Sequence, residues 1–237
     1  MSKLKLYCAW FCPFAQRAWI AFLEKGIPFE YVEINSYEKP PKLMAVNPKG
    51  AVPVIVLENG KSVYESDVCI QYVDELRSEG KQILPQDPYE RAQARMWCDF
   101  ISTKLVSPFY KMLAAKDKEQ QEPIKKALLE GLATFSDAID DVGPFFGGDK
   151  FGMVDILLCP FTLRFRPVLK HFRDFEVPDT DQYRKLHKWM AACHSHPSVV
   201  PTIADDKKIT AVYRYYAENL SRAETAEALK QLEESTK

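Results

Sequence analysis

Leu4-Lys5-Leu6-Tyr7-Cys8-Ala9-Trp10-Phe11-Cys12-Pro13-Phe14-Ala15-Gln16-Arg17 changes its periodicity in mid-run, and that change decides the fold. Residues 3–8 alternate, which predicts a strand. After a short turn through Ala9-Trp10-Phe11, the residues Phe14, Ala18, Ile20, Ala21 and Leu23 recur with helical spacing. Pro13 suits the first helical position, where its missing N–H is no loss and its φ is already set. Gly26 follows the last apolar turn, as a helix stop should. Phe29–Ile34 alternates again, so the chain opens as β-α-β.

Working outward, Glu38-Lys39-Pro40-Pro41 precedes a weak helical segment near 43–46, and Asn47-Pro48-Lys49-Gly50 is a turn. Residues 52–57, Asn59-Gly60 and 61–64 read as a β-hairpin, and Glu65-Ser66 opens a helix carrying Val68, Ile70, Tyr72, Val73 and Leu76. The order β-α-β-α-β-β-α predicts a small mixed sheet with helices on both faces. Residues 78–88, with two prolines and a glycine, have linker character. Beyond Tyr89 the pattern is helical: 90–115, 122–141, 153–169, 183–195 and 209–219, with a break at Gly143–Asp149 and a polar tail from Ser221. Domains of 1–77 and 89–237, joined by 78–88, follow.

Composition narrows the class. The 237 residues are 46% hydrophobic and 27% charged, enough to bury a core without disulfides or structural metal. Lys and Arg number 32 against 33 Asp and Glu, so the net charge of -1 gives no reason to expect nucleic acid or an anionic membrane as the main partner. No apolar run reaches the ~18 residues of a membrane span, and no signal-peptide core opens the chain, so a cytoplasmic protein is expected. Cys8, Cys12, Cys69, Cys98, Cys159 and Cys193 lack paired spacing and read as free thiols.

Among these thiols Cys12 stands apart. A cysteine between a strand and a helix start meets unpaired N–H groups and the positive end of the helix, which together predict a lowered pKa and a reactive thiolate. Arg17, one turn on, can add positive potential. The second cysteine of a dithiol motif would stand at position 15, where the chain has Ala15, so a mixed disulfide on Cys12 needs an external thiol to resolve it. Two further features face the same turn in this topology. A cis bond at Val52-Pro53 would leave the Val52 backbone free to pair with an extended peptide. Glu65-Ser66, at a strand-to-helix junction, suits an ammonium and a carboxylate respectively. The three together match γ-Glu-Cys-Gly, charged at both ends, peptide-like in the middle and carrying a thiol.

Cys12-Pro13-Phe14-Ala15-Gln16-Arg17, Val52-Pro53 and Tyr64-Glu65-Ser66 resemble the cytosolic glutathione transferases of the cysteine type, the omega class above all and the plant lambda class. Gly147-Gly148-Asp149 and Asp155 resemble the N-capping segment in that family's helical domain. The resemblance implies a thioredoxin-like domain followed by a helical bundle, with glutathione as co-substrate and no metal. It implies Cys12 as nucleophile, Phe14 beside the tripeptide, Lys39 near the glycyl carboxylate, Val52 and Pro53 at the cysteinyl unit, and Glu65 with Ser66 at the γ-glutamyl end. The electrophile pocket would draw on Phe11, Ile209 and Tyr213. Thiol transfer, including deglutathionylation and dehydroascorbate reduction, is the implied activity, with weak conjugation and a homodimeric assembly.

This chain has Gly152 where that family usually caps with Ser or Thr, and Ile209 where the omega class often has Trp. Chloride intracellular channel proteins, redox-active or membrane-inserting, carry a similar Cys-Pro-Phe-Ser-Gln-Arg segment and are the alternative. A binding domain of the translation machinery, where the nucleophile is normally absent, fits less well, and a transferase using a Tyr7 or Ser2 hydroxyl is a further rival. His194-Ser195-His196 could suggest a metal, but no nearby Cys, Asp or Glu completes a plausible ligand set, and a solvated loop before Pro197 is expected instead.

Overall fold

The computed structural model describes residues 4–77 and 80–234. Lys3 of the first expected strand, Ser2, the linker positions Ser78 and Glu79, and the last three residues of the tail lie outside them. The chain first forms β1 (Leu4–Cys8), α1 (Pro13–Lys25), β2 (Phe29–Glu33), α2 (Pro41–Met44), β3 (Val54–Val56), β4 (Ser62–Tyr64) and α3 (Ser66–Leu76). β1 pairs in parallel with β2 and antiparallel with β3, which pairs antiparallel with β4, giving the order β2-β1-β3-β4. This is the thioredoxin-like arrangement expected from the sequence. Leu4, Leu6 and Cys8 are the buried alternates of β1. Gly26, at φ 58, closes α1: its N–H reaches Leu23 O at 3.1 Å and the Ile27 N–H reaches Phe22 O at 3.1 Å.

The helical domain follows with α4 (Pro88–Phe100), α5 (Ser107–Ala114), α6 (Lys118–Ala138), α7 (Met153–Thr162), α8 (His171–Arg173), α9 (Arg184–His194), α10 (Asp206–Glu218) and α11 (Arg222–Glu234). The expected helix 90–115 runs as two: the wider turns of Ile101–Val106 separate α4 from α5, ahead of Pro108. The expected helix 153–169 ends at Thr162 and resumes in wide turns over Phe165–Lys170. The break at 143–149 is present, and the tail from Ser221 is helical as far as Glu234.

α7 is buried along its whole length and packs against α1, so the helical domain's core begins directly behind the turn that carries Cys12. Asp155 anchors the start of α7, accepting from Gly152 N–H at 2.8 Å, Phe146 N–H at 2.8 Å and Trp189 Nε1–H at 2.6 Å. Gly152 offers no hydroxyl, and the Met153 N–H bonds instead to Ile83 O at 3.0 Å. A Cβ on Gly152 would lie 3.2 Å from that same oxygen, so the glycine allows the connecting segment to approach and complete the cap. The segment is itself fixed by Asp74, which accepts from the Ile83 and Leu84 N–H groups and from Lys25 Nζ at 2.8 Å. Both ends of this contact between the domains are therefore saturated with hydrogen bonds.

Candidate active site

Cys12 is the residue before the first turn of α1, with extended backbone (φ -83, ψ 117), and its own N–H is tied to Ala9 O at 2.9 Å. The Phe14 and Ala15 amides turn their positive ends toward the sulfur without closing a capping hydrogen bond. Arg164 and Arg17 add positive potential. Burial works the other way and is the largest influence, so the thiol lies above its ordinary value. That corrects the expectation of a lowered pKa. The sequence shows the helix end, but not how much apolar protein closes around the sulfur. The residue as a whole is only half-buried, so water entering the cavity in front of it offsets part of this penalty.

That cavity has a volume of about 590 Å³. Its walls are Phe11, Cys12, Pro13 and Phe14 from the first turn, Ser36, Tyr37 and Lys39 after β2, and Lys49, Gly50, Ala51 and Val52 before β3. Tyr110 of α5, Tyr213, Tyr215 and Tyr216 of α10, and Arg222 of α11 complete it. Val52-Pro53 is a cis peptide. Gly50 holds φ 61, and a Cβ there would come within 2.9 Å of the Lys39 side chain, so the glycine leaves room for that lysine at the rim. Lys39, Lys49 and Arg222 give the rim a positive character suited to an anionic peptide.

Of the residues singled out in the sequence, Phe11, Cys12, Phe14, Lys39, Val52 and Tyr213 line this cavity. Pro53, Glu65, Ser66 and Ile209 do not line it. Ile209 lies one helical turn before Tyr213 and is buried, but only Tyr213 of the two lines the cavity. The Ser66 hydroxyl is buried and accepts from Arg17 Nη1 at 3.0 Å. Glu65, at φ 71, pairs with Lys49 Nζ at 2.5 Å, so its carboxylate is engaged by a lysine of the cavity wall.

Gln16 and Arg17, which follow the nucleophile position, bind across the domain contact. Arg17 Nε donates to Leu157 O at 2.9 Å, and its guanidinium lies 5.0 Å from the Phe14 ring and 5.1 Å from that of Phe161. Burial lowers its pKa to about 10, which still leaves it charged near neutrality. Gln16 Nε2 donates to Thr202 Oγ1 at 2.9 Å, while its Oε1 accepts from Arg164 Nη1 at 2.8 Å. Arg164 Nη2 in turn donates to Phe11 O at 2.9 Å. Arg164 thus fixes the turn preceding Cys12 and also supplies charge to it.

The sequence reading missed Arg164, which carries no local signal, and also Tyr37, Tyr110, Lys49 and Arg222. Tyr213-Arg214-Tyr215-Tyr216 is an aromatic run that could have marked α10 as a wall. Among the described residues no group of three or more His, Cys, Asp or Glu is placed to hold a metal ion, and no helix is long and apolar enough to cross a membrane.

A family model described as "Glutathione S-transferase, N-terminal domain" matches residues 11–76, and one described as "Glutathione S-transferase, C-terminal domain" matches residues 113–192. Glutathione S-transferase U19 of Arabidopsis thaliana is 40% identical over 201 residues, covering 85% of this chain and 90% of its own. The solved structure of glutathione transferase Omega 3C from Trametes versicolor superposes with a TM-score of 0.83 at 34% identity, covering 92% of this chain and 91% of its own. A Tau class glutathione S-transferase from mango, Mangifera indica, gives 0.82 at 28% identity, covering 92% and 99%.

Proposed function

The chain belongs to the glutathione S-transferase family and takes glutathione as substrate; on that premise we propose that it is a cysteine-type, omega-like thiol transferase with Cys12 as nucleophile. The observation that carries the reading is a thiol at the opening of α1, on the wall of a 590 Å³ cavity, with two buried arginines behind it. In the first step the Cys12 thiolate attacks the glutathionyl sulfur of a mixed disulfide GS–SR. A bond forms between Cys12 Sγ and that sulfur, the S–SR bond breaks, and RS⁻ leaves to take a proton from water. A glutathione thiolate then attacks the glutathionyl sulfur on Cys12, releasing GSSG and restoring the Cys12 thiolate. The substrate is reduced by two electrons and two glutathione units leave as the disulfide. Ala15 offers no internal thiol, so the second step falls to free glutathione.

In this reading residues 1–77 bind glutathione, 78–88 connect, and 89–237 supply the electrophile side of the cavity. Phe14, Lys39 and Val52 hold the peptide, with Pro53 behind them as the second member of the cis bond that presents the Val52 backbone. Glu65 and Ser66 hold the γ-glutamyl end through backbone groups and through Lys49 and Arg17. Dehydroascorbate reduction belongs to the same thiol chemistry, and a cytoplasmic location keeps the thiol reduced. The chain acts as a homodimer through α3 and α4, where Gln71 accepts from Arg95 Nη2 at 2.9 Å beside exposed Val68 and Met96.

Conjugation is the second reading, favoured by the 40% identity to a plant glutathione S-transferase and by the Tau class fold match. There the bound glutathione sulfur, not Cys12, attacks the electrophile. Cys12→Ala separates the two. Turnover of the mixed disulfide of glutathione and 2-mercaptoethanol should fall at least ~100-fold, since covalent catalysis loses its nucleophile, while addition of glutathione to 1-chloro-2,4-dinitrobenzene persists or rises. Undiminished disulfide turnover in the variant would refute the thiol-transferase assignment.

A further inference from the structure

Tyr213 is 2% exposed, and its hydroxyl is buried without a hydrogen-bond partner although the residue lines the cavity in front of Cys12. The Tyr110 hydroxyl is near enough to influence its ionisation but is not in bonding geometry. Buried hydroxyls are normally paired, and an orphan beside a substrate cavity is a group whose partner arrives with the ligand. The surroundings describe that ligand. Phe14 and Tyr110 stack at 6.3 Å with planes 8° apart, and Phe11 and Tyr37 at 5.5 Å with planes 17° apart, so the cavity is lined by two stacked aromatic pairs. Burial raises the Tyr213 pKa and keeps the phenol protonated, able to donate, while the Arg164 guanidinium, 5.8 Å from the ring, works the other way.

We propose that Tyr213 is a specificity-determining residue whose hydroxyl donates a hydrogen bond to a carbonyl or nitro oxygen on an aromatic electrophile-side group, so that the cavity selects oxygen-bearing aryl substrates over purely hydrocarbon ones. The assignment rests on glutathione occupying the cavity as read above, but not on which sulfur reacts. Tyr37, Tyr215 and Tyr216 supply contact surface. The half-buried Tyr216 ring lies 5.2 Å from Tyr110 and 5.9 Å from Tyr213, so a ligand that reaches the buried Tyr213 hydroxyl has to displace neighbouring rings.

The test uses two stable thioethers that differ by one oxygen, S-(4-acetylbenzyl)glutathione and S-(4-ethylbenzyl)glutathione, with S-methylglutathione as reference, and measures binding to the full chain by calorimetry. The wild type should bind the acetyl compound about tenfold tighter than the ethyl compound, the worth of one buried hydrogen bond. Tyr213→Phe should erase that preference while changing affinity for the ethyl compound and for S-methylglutathione less than about threefold. Equal weakening of both aryl ligands would assign Tyr213 to packing alone and overturn the proposal. So would a wild type that binds both equally, a result that needs no variant to fold. Failure of S-methylglutathione to bind the wild type would remove the glutathione site itself, and this assignment with it.

Discussion

Arg164→Met tests the link between the helical domain and the nucleophile. The arginine is 3% exposed and donates to Gln16 Oε1 at 2.8 Å, to Phe11 O at 2.9 Å and to Pro160 O. Methionine keeps the aliphatic length but removes every donor. Three buried acceptors, Gln16 Oε1, Phe11 O and Pro160 O, lose a charged partner, at about 1–2 kcal/mol each. Relief of the buried charge offsets part of that loss, leaving a net cost of about 2 kcal/mol. For a chain of this length that corresponds to a fall in Tm of about 4–8 °C.

The chemical effect follows separately. With the guanidinium gone, one of the influences holding the Cys12 thiol down is lost and burial raises it further. Iodoacetamide alkylation of Cys12, followed by mass spectrometry at a series of pH values, should be slower at pH 7 in the variant. Its profile should move to higher pH, with the alkaline plateau unchanged. Arg164→Lys keeps the charge but not the forked geometry, so it should lose stability while holding more of the wild-type profile. A well-folded Arg164→Met protein whose profile coincides with that of the wild type would refute the idea that Arg164 acts on the sulfur.

The Thr162 hydroxyl donates to Cys159 O at 2.9 Å, so His194 Nε2, 3.0 Å from that hydroxyl, is the donor to it, and burial rather than this bond keeps the ring neutral. Burial lowers the His194 pKa to about 4 from 6.5, so the unfolded chain takes its proton first. Stability from this group is therefore complete above pH 6.5 and is lost as pH falls toward 4, by about 2–3 kcal/mol. Urea titrations of the wild type and His194→Gln should diverge over that range, and parallel curves would contradict the account. For the assembly, light scattering should give twice the 27.2 kDa chain mass, and Met96→Glu should halve it; a wild-type monomer would dismiss the α3–α4 contact.

Features set by neighbours in the chain were legible in the sequence. The strand-to-helix switch at Cys12-Pro13, the stop at Gly26, the hairpin at Asn59-Gly60 and the bond from Gly152 N–H to Asp155 each depend on contacts within a few residues, and local periodicity and turn chemistry report those directly. Helix lengths beyond Tyr89 were less legible, because the wide turns at Ile101–Val106 and Phe165–Lys170 preserve an apolar rhythm while changing the backbone.

Cys12 was visible as a nucleophile candidate from its place before a helix, but its ionisation was not, because burial depends on α5, α7 and α10 closing over the turn. The same packing turned Ser66 toward Arg17, enclosed Ile209 in the core and left the Tyr213 hydroxyl without a partner. Gln16 and Arg164 are 148 positions apart, and nothing near either one in the chain announces the other. The sequence by itself determined where a thiol meets a helix start. Which charges surround that thiol, and which hydroxyls wait beside it, only the packing of one domain on the other decided, since desolvation and hydrogen-bond pairing depend on neighbours in space.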